Sequence, residues 1–312
     1  MKIYHSIEEF PKVHNPVVTV GTYDGLHRGH QEIIFQMKNK AKEIGGETVV
    51  VTFYPHPRRV LYADSKDLKL ILTNQRKYEL LEKFGIDHLL IIPFTKDFAA
   101  KTAEIFIQEI LVNALHIHSF IIGYDHHFGK GREAEYEVLK RHGNTYGFEV
   151  QQVKAEKVNG ITVSSTKIRN ALKSGEIRLA NQLLGFDYSI SGIVVVGDKI
   201  GRTMGFPTAN LEISDEYKLI AAGGVYACRI EWNGKHFLGM GNIGFRPTIN
   251  GNNDLRTEVH IFDFDQDIYG EELCVYFIDR IRNEKKFKGL EELKAQLKKD
   301  ELTVRKIFQM EV

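Results

Sequence analysis

Short apolar runs alternate with segments of helical periodicity through the first half of the chain. The run Val17–Val20 predicts a buried strand, and apolar positions between Ile33 and Ile44 recur after it at helical spacing. The alternation continues with predicted strands at 47–53, 88–92, 119–123 and 148–153 and predicted helices at 76–84 and 96–115. This order is typical of an α/β domain, in which a parallel sheet carries helices on both faces.

The pattern changes near residue 185, where short β-rich runs separated by glycine turns replace the alternation. These runs lie at 192–196, 224–231, 236–241, 256–262 and 273–281, and helical spacing returns only after Leu290. Several antiparallel strands followed by a terminal helix favour a small all-β barrel. We therefore predict two domains, 1–184 and 185–312, with the boundary between Leu184 and Tyr188.

Composition and charge exclude several classes of protein. The chain has 312 residues, of which 43% are hydrophobic and 27% charged, as in soluble globular domains. A formal net charge of +1 gives no electrostatic case for nucleic acid or an anionic membrane as partner. The chain shows no secretory signal, no apolar run near the roughly 18 residues that span a bilayer, and two distant cysteines expected to be reduced. We expect a cytoplasmic protein.

The first candidate site is the glycine-rich turn 21–30, Gly-Thr-Tyr-Asp-Gly-Leu-His-Arg-Gly-His, between the first predicted strand and helix. His27 and His30 are three residues apart, which places both rings on one side of a helix start. A helix N-terminus attracts anions through its unpaired N–H groups and its dipole. The turn also lies at the carboxyl end of a parallel strand, where ligands bind in such sheets. Together these features predict a phosphate site, and the His-x-Gly-His element resembles that of the nucleotidyltransferase superfamily.

A second element, Val-Ser-Ser-Thr-Lys-Ile-Arg at 163–169, precedes another helical pattern. Its hydroxyls and Arg169 could gather around a triphosphate, because arginine matches phosphate oxygens with a planar fork. The same residues also fit a helix cap followed by a solvated basic turn. The two interpretations are compatible.

Four segments occur in an order that resembles the FMN adenylyltransferase module of the bacterial bifunctional riboflavin kinase/FAD synthetase family. They are 21–30, Phe-Tyr-Pro-His-Pro at 53–57, 123–129 and 164–169. The resemblance implies a Rossmann-like nucleotidyltransferase domain and two sets of site residues. The nucleotide set is Gly21, Tyr23, Asp24, His27, His30, Ser164, Thr166 and Arg169, and the flavin set is His56, Pro57 and Asp125. Tyr23 stands where the family usually has phenylalanine, and His126-His127 where it often has an aromatic residue followed by arginine.

The segment 197–211, Gly-Asp-Lys-Ile-Gly-Arg-Thr-Met-Gly-Phe-Pro-Thr-Ala-Asn-Leu, contains three glycines that allow close approach of backbone to a ligand. Thr208 and Asn210 offer hard oxygen ligands suited to Mg²⁺. The part Gly-Phe-Pro-Thr-Ala-Asn resembles the riboflavin kinase motif. The resemblance implies nucleotide binding by Gly197, Gly201, Gly205, Pro207, Thr208 and Asn210, with Thr208 and Asn210 at the metal.

Two further stretches, 241–248 and 257–264, resemble riboflavin kinase segments. Strand alternation places Glu258, His260 and Phe262 on one face. From the residues alone, Glu258 fits an exposed edge-strand acid as well as a general base. The resemblance implies that it is the catalytic base.

The resemblance implies two ATP-dependent transfers: riboflavin to FMN in the second domain and FMN to FAD with release of pyrophosphate in the first. We expect Mg²⁺ with ATP as co-substrate, no tightly bound redox cofactor, and riboflavin, FMN and ATP as partners. No nucleic acid, membrane or obligate protein partner is expected. Two other hypotheses stay open: a flavin-binding regulatory protein with a decayed adenylyl site, and a barrel that binds nucleic acid, against which the charge argues.

Overall fold

Two compact units, Met1–Ser165 and Thr166–Val312, make up the chain. They are seen in a computed structural model that describes residues 1–61, 68–124, 136–197, 200–247 and 253–309. The two predicted fold types are confirmed, one in each unit.

The first unit contains a six-stranded sheet in which every pair of neighbours is parallel. Its strands are β1 (Lys2–Tyr4), β2 (Val17–Val20), β3 (Thr48–Tyr54), β4 (His88–Pro93), β5 (Ser119–Gly123) and β6 (Glu149–Val153). A small antiparallel hairpin, β7 (Lys157–Val158) and β8 (Ile161–Thr162), follows the sheet. The predicted strands are confirmed to within a residue or two at each end.

In the strand order β1-β4-β3-β2-β5-β6, the chain adds strands to one side of β2 and then, from β5 onward, to the other side. Residues of β2 are buried throughout, as are nearly all of β3, β4 and β5, because helices cover both faces of a parallel sheet. In doubly wound sheets the reversal point opens a crevice at the carboxyl ends of the strands. The turn that leaves β2 therefore begins at the place where this fold binds ligands.

The first unit also contains helices, several of which are capped at their start by a side chain. They are α1 (Arg28–Ile44), α2 (Pro57–Leu61), α3 (Asn74–Lys83), α4 (Lys96–Ala99), α5 (Ala103–Phe106), which continues as a π-helical stretch Ile107–Ala114, and α6 (Tyr136–Tyr146). In α1 the apolar positions Ile33, Ile34, Met37 and Ala41 are buried, as its spacing predicted.

The prediction of a single helix over 96–115 is wrong, because the helix is interrupted between Ala99 and Ala103. The hydroxyls of Thr95 and Thr102 each accept a hydrogen bond from a backbone N–H three residues ahead. Each threonine therefore starts its own helix. Apolar periodicity continued across the break and did not reveal it.

The second unit contains a closed antiparallel barrel of order β10-β13-β12-β11-β14-β9. Its strands are β9 (Ser189–Val195), β10 (Ala209–Glu212), β11 (Gly224–Trp232), β12 (Lys235–Pro247), β13 (Asn253–Ile261) and β14 (Glu272–Arg282). The short strand β10 was not predicted. It lies inside the glycine-rich motif, and it closes the barrel by pairing with both β9 and β13.

Helices cover the barrel of the second unit. They are α7 (Ser165–Ser174), whose first residue closes the first unit, α8 (Ile177–Leu184), α9 (Ile200–Thr203) and the predicted terminal helix α10 (Leu290–Gln309). Asn181 of α8 donates a hydrogen bond to the Phe277 carbonyl on β14, and the Leu172 carbonyl of α7 accepts one from Ala222. These bonds attach α7 and α8 to the barrel. From α10, Val304 and Phe308 pack into a core cluster with the outer face of the barrel.

Candidate active sites

The histidine pair of the first unit lies where β2 leads into α1. His27 is the N-cap of α1, and its Nδ1 accepts a hydrogen bond of 3.4 Å from the His30 backbone. The two rings stack with centroids 3.7 Å apart and planes inclined by 13°. Because Nδ1 of His27 accepts, the neutral ring carries its proton on Nε2, which can donate to a phosphate oxygen.

The first turn of α1 contains no acidic side chain, so its N-terminal partial charge is not neutralised from within the helix. Gly29 lets the His27 ring lie close to the turn, because a Cβ there would be 3.3 Å from Nδ1. The arrangement brings two imidazoles and a helix N-terminus to one point. It can bind an anion and respond to charge that develops on it.

Tyr23 shapes the loop before the histidines. It has φ 50°, a left-handed conformation that is uncommon for a residue other than glycine. Its buried hydroxyl shares a 2.7 Å hydrogen bond with Thr19, its ring lies 4.8 Å from that of His30, and burial raises its pKa. The ring also passes over Gly21, where a Cβ would meet it at 3.0 Å. Tyr23 therefore acts here as a buried support under the histidine pair.

Asp24 ties the same loop to other parts of the unit. Its Oδ1 accepts hydrogen bonds from the backbone of Ile71 (2.8 Å) and Leu72 (3.3 Å), and its carbonyl accepts one of 2.8 Å from the Ser165 hydroxyl. The carboxylate thus holds a neighbouring segment. Ser165 lies within the predicted hydroxyl-rich element, although sequence reasoning selected its neighbours Ser164 and Thr166.

The remaining residues predicted for this site lie on different elements. Ser164 directly precedes α7, whereas Thr166 and Arg169 lie on α7 within the second unit, and their part in nucleotide binding stays a prediction. His56 accepts a hydrogen bond of 3.2 Å from the Arg58 backbone and so caps α2, which begins at Pro57. Asp125 lies outside the described residues, as do His126 and His127.

In the second unit, Glu258 stands in the middle of β13 between two amides. The ladders pair it with Asn210 on β10 and with Asn242 on β12, so the three side chains form a row across three strands. The Thr208 hydroxyl donates to Oε2 of Glu258 at 3.5 Å. A carboxylate, two carboxamides and a hydroxyl are therefore concentrated on one face of the barrel.

His260 supports this row from two residues further along β13. Its Nδ1 donates a 2.7 Å hydrogen bond to the Pro207 carbonyl, and its ring meets Phe206 edge-on at 5.2 Å. The bond fixes the chain directly before Thr208. It also assigns the proton of the neutral His260 ring to Nδ1.

Thr208 and the three side chains of the row line a cavity of about 340 Å³, within the size range of small-molecule sites. Its other walls are mostly apolar and come from the glycine-rich motif, β12, the segment after β14 and α10: Met204, Phe206, Met240, Phe287, Leu293 and Leu297. The cavity pairs a polar reacting edge with walls suited to a flat aromatic group.

A second cavity of about 130 Å³ borders Thr208 as well. Its lining includes Arg202, Pro207, Asp265 and Asp267. Thr208 thus lines both cavities. Charged side chains contribute to the lining of each, Arg282, Glu284 and Lys285 in the first and Arg202, Asp265 and Asp267 in the second.

Gly197 makes room for Asn210. A Cβ on Gly197 would lie 2.2 Å from Nδ2 of Asn210, whereas a Cβ on Gly289 would meet nothing within 4 Å. We expect Gly197→Ala to push the Asn210 amide out of the row. Turnover at this site should fall about 10- to 100-fold, because small misplacements of groups in a reactive site carry costs of that size.

Kinetics of Gly197→Ala and its control Gly289→Ala would check this expectation, together with thermal unfolding of both variants. Because the clash is with the end of a side chain, the melting temperature of Gly197→Ala should stay close to that of the unchanged chain. Equal activity in the two variants would contradict the role given to Asn210.

Sequence reasoning missed Asn242, Ser165 and Lys77, a buried lysine of α3 that donates a hydrogen bond to the Thr22 carbonyl. Asn242 stood within a segment recognised by its resemblance, but only the strand register sets it opposite Glu258. Ser165 has the same hydroxyl-rich signal as its neighbours Ser164 and Thr166. Lys77 carried no motif signal, because its contact spans 55 residues of sequence.

Family models match both units. The model for FAD synthetase matches residues 10–167 and that for riboflavin kinase matches residues 184–308. Among curated proteins, the bifunctional riboflavin kinase/FMN adenylyltransferase of Listeria monocytogenes is 40% identical over 94% of this chain and 93% of its own length. The protein of the same name from Escherichia coli K12 is 37% identical over 97% of this chain and 96% of its own length.

A solved structure from Streptococcus pneumoniae, named as a macrolide-efflux protein, superposes with a TM-score of 0.90 at 34% identity. The alignment covers 97% of this chain and 98% of that one, and the name describes the pneumococcal protein. Among the helices in the described ranges, none combines the length and hydropathy of a membrane span.

An α/β nucleotide-type site and a barrel with a carboxylate-centred cavity, joined in one chain, define a two-domain transferase architecture. With both family models and relatives matched over nearly the full length, the chain belongs to the bifunctional riboflavin kinase/FMN adenylyltransferase family.

Proposed function

We propose that this chain makes FAD from riboflavin and two molecules of ATP. The barrel unit phosphorylates riboflavin to FMN with release of ADP, and the α/β unit transfers AMP from a second ATP to FMN with release of pyrophosphate. The observation that carries the proposal is that each half of the chain matches one of the two family models and also holds a candidate phosphoryl-transfer site. Both reactions are displacements at phosphorus that depend on positioning and charge stabilisation.

In the kinase step, the terminal ribityl hydroxyl of riboflavin attacks the γ-phosphorus of ATP, and the bond from that phosphorus to ADP breaks. Glu258 accepts the hydroxyl proton. The 3.5 Å contact with Thr208 and the flanking amides of Asn210 and Asn242 orient the carboxylate. The His260 bond to Pro207 keeps Thr208 in place while the proton moves.

The two cavities around Thr208 suggest how the kinase substrates lie. The larger one has the apolar and aromatic walls that a flavin ring requires, and it contains Glu258. The smaller one also borders Thr208 and would hold the nucleotide, with Arg202 as the cationic side chain for its phosphates. The phosphoryl group would then cross at Thr208, the residue that both cavities share.

Thr208 and Asn210 fit a magnesium ion, because a hydroxyl and a carboxamide oxygen beside a carboxylate are the hard ligands that Mg²⁺ prefers. When bound, Mg²⁺ would neutralise charge on the phosphate oxygens. Gly197, Gly201 and Gly205 allow the chain to approach the nucleotide closely. At Gly201 a Cβ would lie 2.2 Å from the Phe206 carbonyl, so the turn needs glycine there.

In the adenylyl step, a phosphate oxygen of FMN attacks the α-phosphorus of ATP, and the bond to pyrophosphate breaks. The attacking group is already an anion at neutral pH, so little general-base help is needed. His27 and His30 stabilise the phosphates at the start of α1, where Gly21, Tyr23 and Asp24 shape the loop. In this proposal Ser164, Thr166 and Arg169 add phosphate contacts, while His56, Pro57 and Asp125 lie near the flavin.

We propose 184/185 as the functional boundary, and the start of the riboflavin kinase model at residue 184 supports this proposal. The compact second unit begins earlier, at Thr166, because α7 and α8 are bonded to the barrel. A cytoplasmic location and action without nucleic acid, membrane or obligate protein partner complete the proposal.

Chromatography of products tests the function directly. The purified chain should convert riboflavin and Mg-ATP to FMN and FAD, and it should convert supplied FMN to FAD and pyrophosphate. Chelation of the metal should stop both reactions, and excess Mg²⁺ should restore them. If the chain makes FMN from riboflavin but makes no FAD from either riboflavin or FMN, the result would favour the alternative of a decayed adenylyl site that binds flavin.

A further inference from the structure

Lys77 of α3 is a charged residue in an almost fully buried position, with 8% of its surface exposed. Its ammonium donates a 3.4 Å hydrogen bond to the carbonyl of Thr22, in the loop that joins β2 to the histidine pair. Burial lowers the pKa of Lys77 to about 8, and the nearby Asp24 carboxylate opposes this shift. The Asp24 carboxylate, which lies on the same loop, therefore favours the charged form of the amine.

The loop Thr22–Asp24 is held from several directions. Thr52 on β3 also donates to the Thr22 carbonyl, at 3.5 Å. Asp24, only 5% exposed, binds the backbone of Ile71 and Leu72 just before α3. Lys77 therefore connects α3 to the first residue of the loop, Thr22. Asp24, the last residue of the loop, connects it to the segment just before α3.

This loop needs support, because Tyr23 at its centre has φ 50°, and Leu26, two residues after its end, has φ 40°. Such conformations persist only where the surrounding structure holds them. A methionine would fill nearly the same space as Lys77 without the cost of removing an ammonium from water. The lysine thus provides a charged hydrogen bond to the loop where an apolar residue would satisfy packing alone.

We propose that Lys77 is a positioning residue for the adenylyl transfer: through the Thr22 carbonyl it holds the loop that presents His27 and His30 to the phosphates of ATP. The inference depends on the adenylyltransferase activity proposed above. Lys77 acts through the loop and does not itself touch the substrate.

Lys77→Met, Lys77→Gln and Lys77→Arg test the proposal, with Lys83→Met as matched control. Lys83 is an exposed lysine on the same helix. For each variant, kcat and KM for ATP are measured in FAD synthesis from supplied FMN. Riboflavin phosphorylation by the same chain and thermal unfolding are measured alongside.

In Lys77→Met we expect kcat/KM for ATP in FAD synthesis to fall about tenfold, the size expected for losing a hydrogen bond from a charged donor. Most of this change should appear in kcat, because the histidine pair stabilises charge that develops as pyrophosphate leaves. Riboflavin phosphorylation should stay within about twofold, because Lys77 has no role in the barrel. Lys77→Arg, which keeps the charge, should recover most of the loss. Lys83→Met should match the unchanged chain.

Unchanged FAD synthesis in Lys77→Met would overturn the proposal, and so would an equal loss in both activities. If Lys77→Met fails to fold, the same split between the two activities must appear in Lys77→Gln, which keeps an amide donor, or the proposal is wrong. Failure of the proposed function itself is distinct, because the unchanged chain would then make no FAD from FMN.

Discussion

Glu258→Gln is expected to abolish FMN formation from riboflavin while the same chain still makes FAD from supplied FMN. Glutamine keeps the shape of the side chain and can still contact Thr208, but it cannot accept the proton of the ribityl hydroxyl. Loss of general-base catalysis lowers rates by about 10²- to 10⁴-fold. Quantifying FMN and FAD after incubation with each flavin and Mg-ATP measures both activities in one preparation.

Glu272→Gln is the matched control, since Glu272 is an exposed acid at the start of β14 in the same barrel. It should leave both activities unchanged. Retention of FAD synthesis in Glu258→Gln shows that the α/β unit is intact, and a melting temperature equal to that of the control shows that the barrel is folded. FMN formation by Glu258→Gln at the rate of the control would exclude Glu258 as the base.

The double change His27→Ala, His30→Ala should have the opposite effect, impairing FAD synthesis and sparing FMN formation. The stacked rings lie at the N-terminus of α1, where they can stabilise charge on the phosphates as pyrophosphate leaves. Preorganised groups of this kind contribute roughly 2–4 kcal/mol to the barrier, which corresponds to a roughly 30- to 1,000-fold loss of rate. Initial rates of pyrophosphate release from FMN and ATP give the measurement.

His27 also caps α1, so part of the loss could reflect a weakened helix start rather than the chemistry. His27→Asn separates the two effects, because asparagine is a good N-cap without an imidazole. We expect His27→Asn to keep the melting temperature and still lose much of the adenylyl activity. The exposed residues His5 and His14, both changed to Ala, provide the control. FAD synthesis at full rate in the His27/His30 double variant would refute the role of the pair.

Much of the fold followed from local patterns. The buried run of β2 and the stripe from Ile33 to Ala41 on α1 predicted a strand and a helix because burial selects apolar residues at the period of each element. The break at Thr102 could not be seen in the same way. There a single capping hydroxyl decides the path of the chain, and apolar residues continue at similar spacing on both sides.

The candidate sites were found to different extents. Motifs indicated His27, His30 and Glu258, because resemblance and residue chemistry act at single positions. They did not indicate Asn242 or Lys77, whose contacts arise from strand register and helix packing. A residue whose partner is far away in the sequence forms no motif with it, so the sequence pattern does not indicate its role.

By itself, the sequence determined the two fold types and the order of the two chemistries, and it indicated candidate residues for each, because these depend on periodicity and on contiguous motifs. Only the tertiary structure decided that Glu258 lies between two amides, that Thr208 borders two cavities, and that a buried lysine supports the histidine loop. These are relations between residues tens of positions apart, and they exist only after the barrel has closed and α3 has packed beneath the loop.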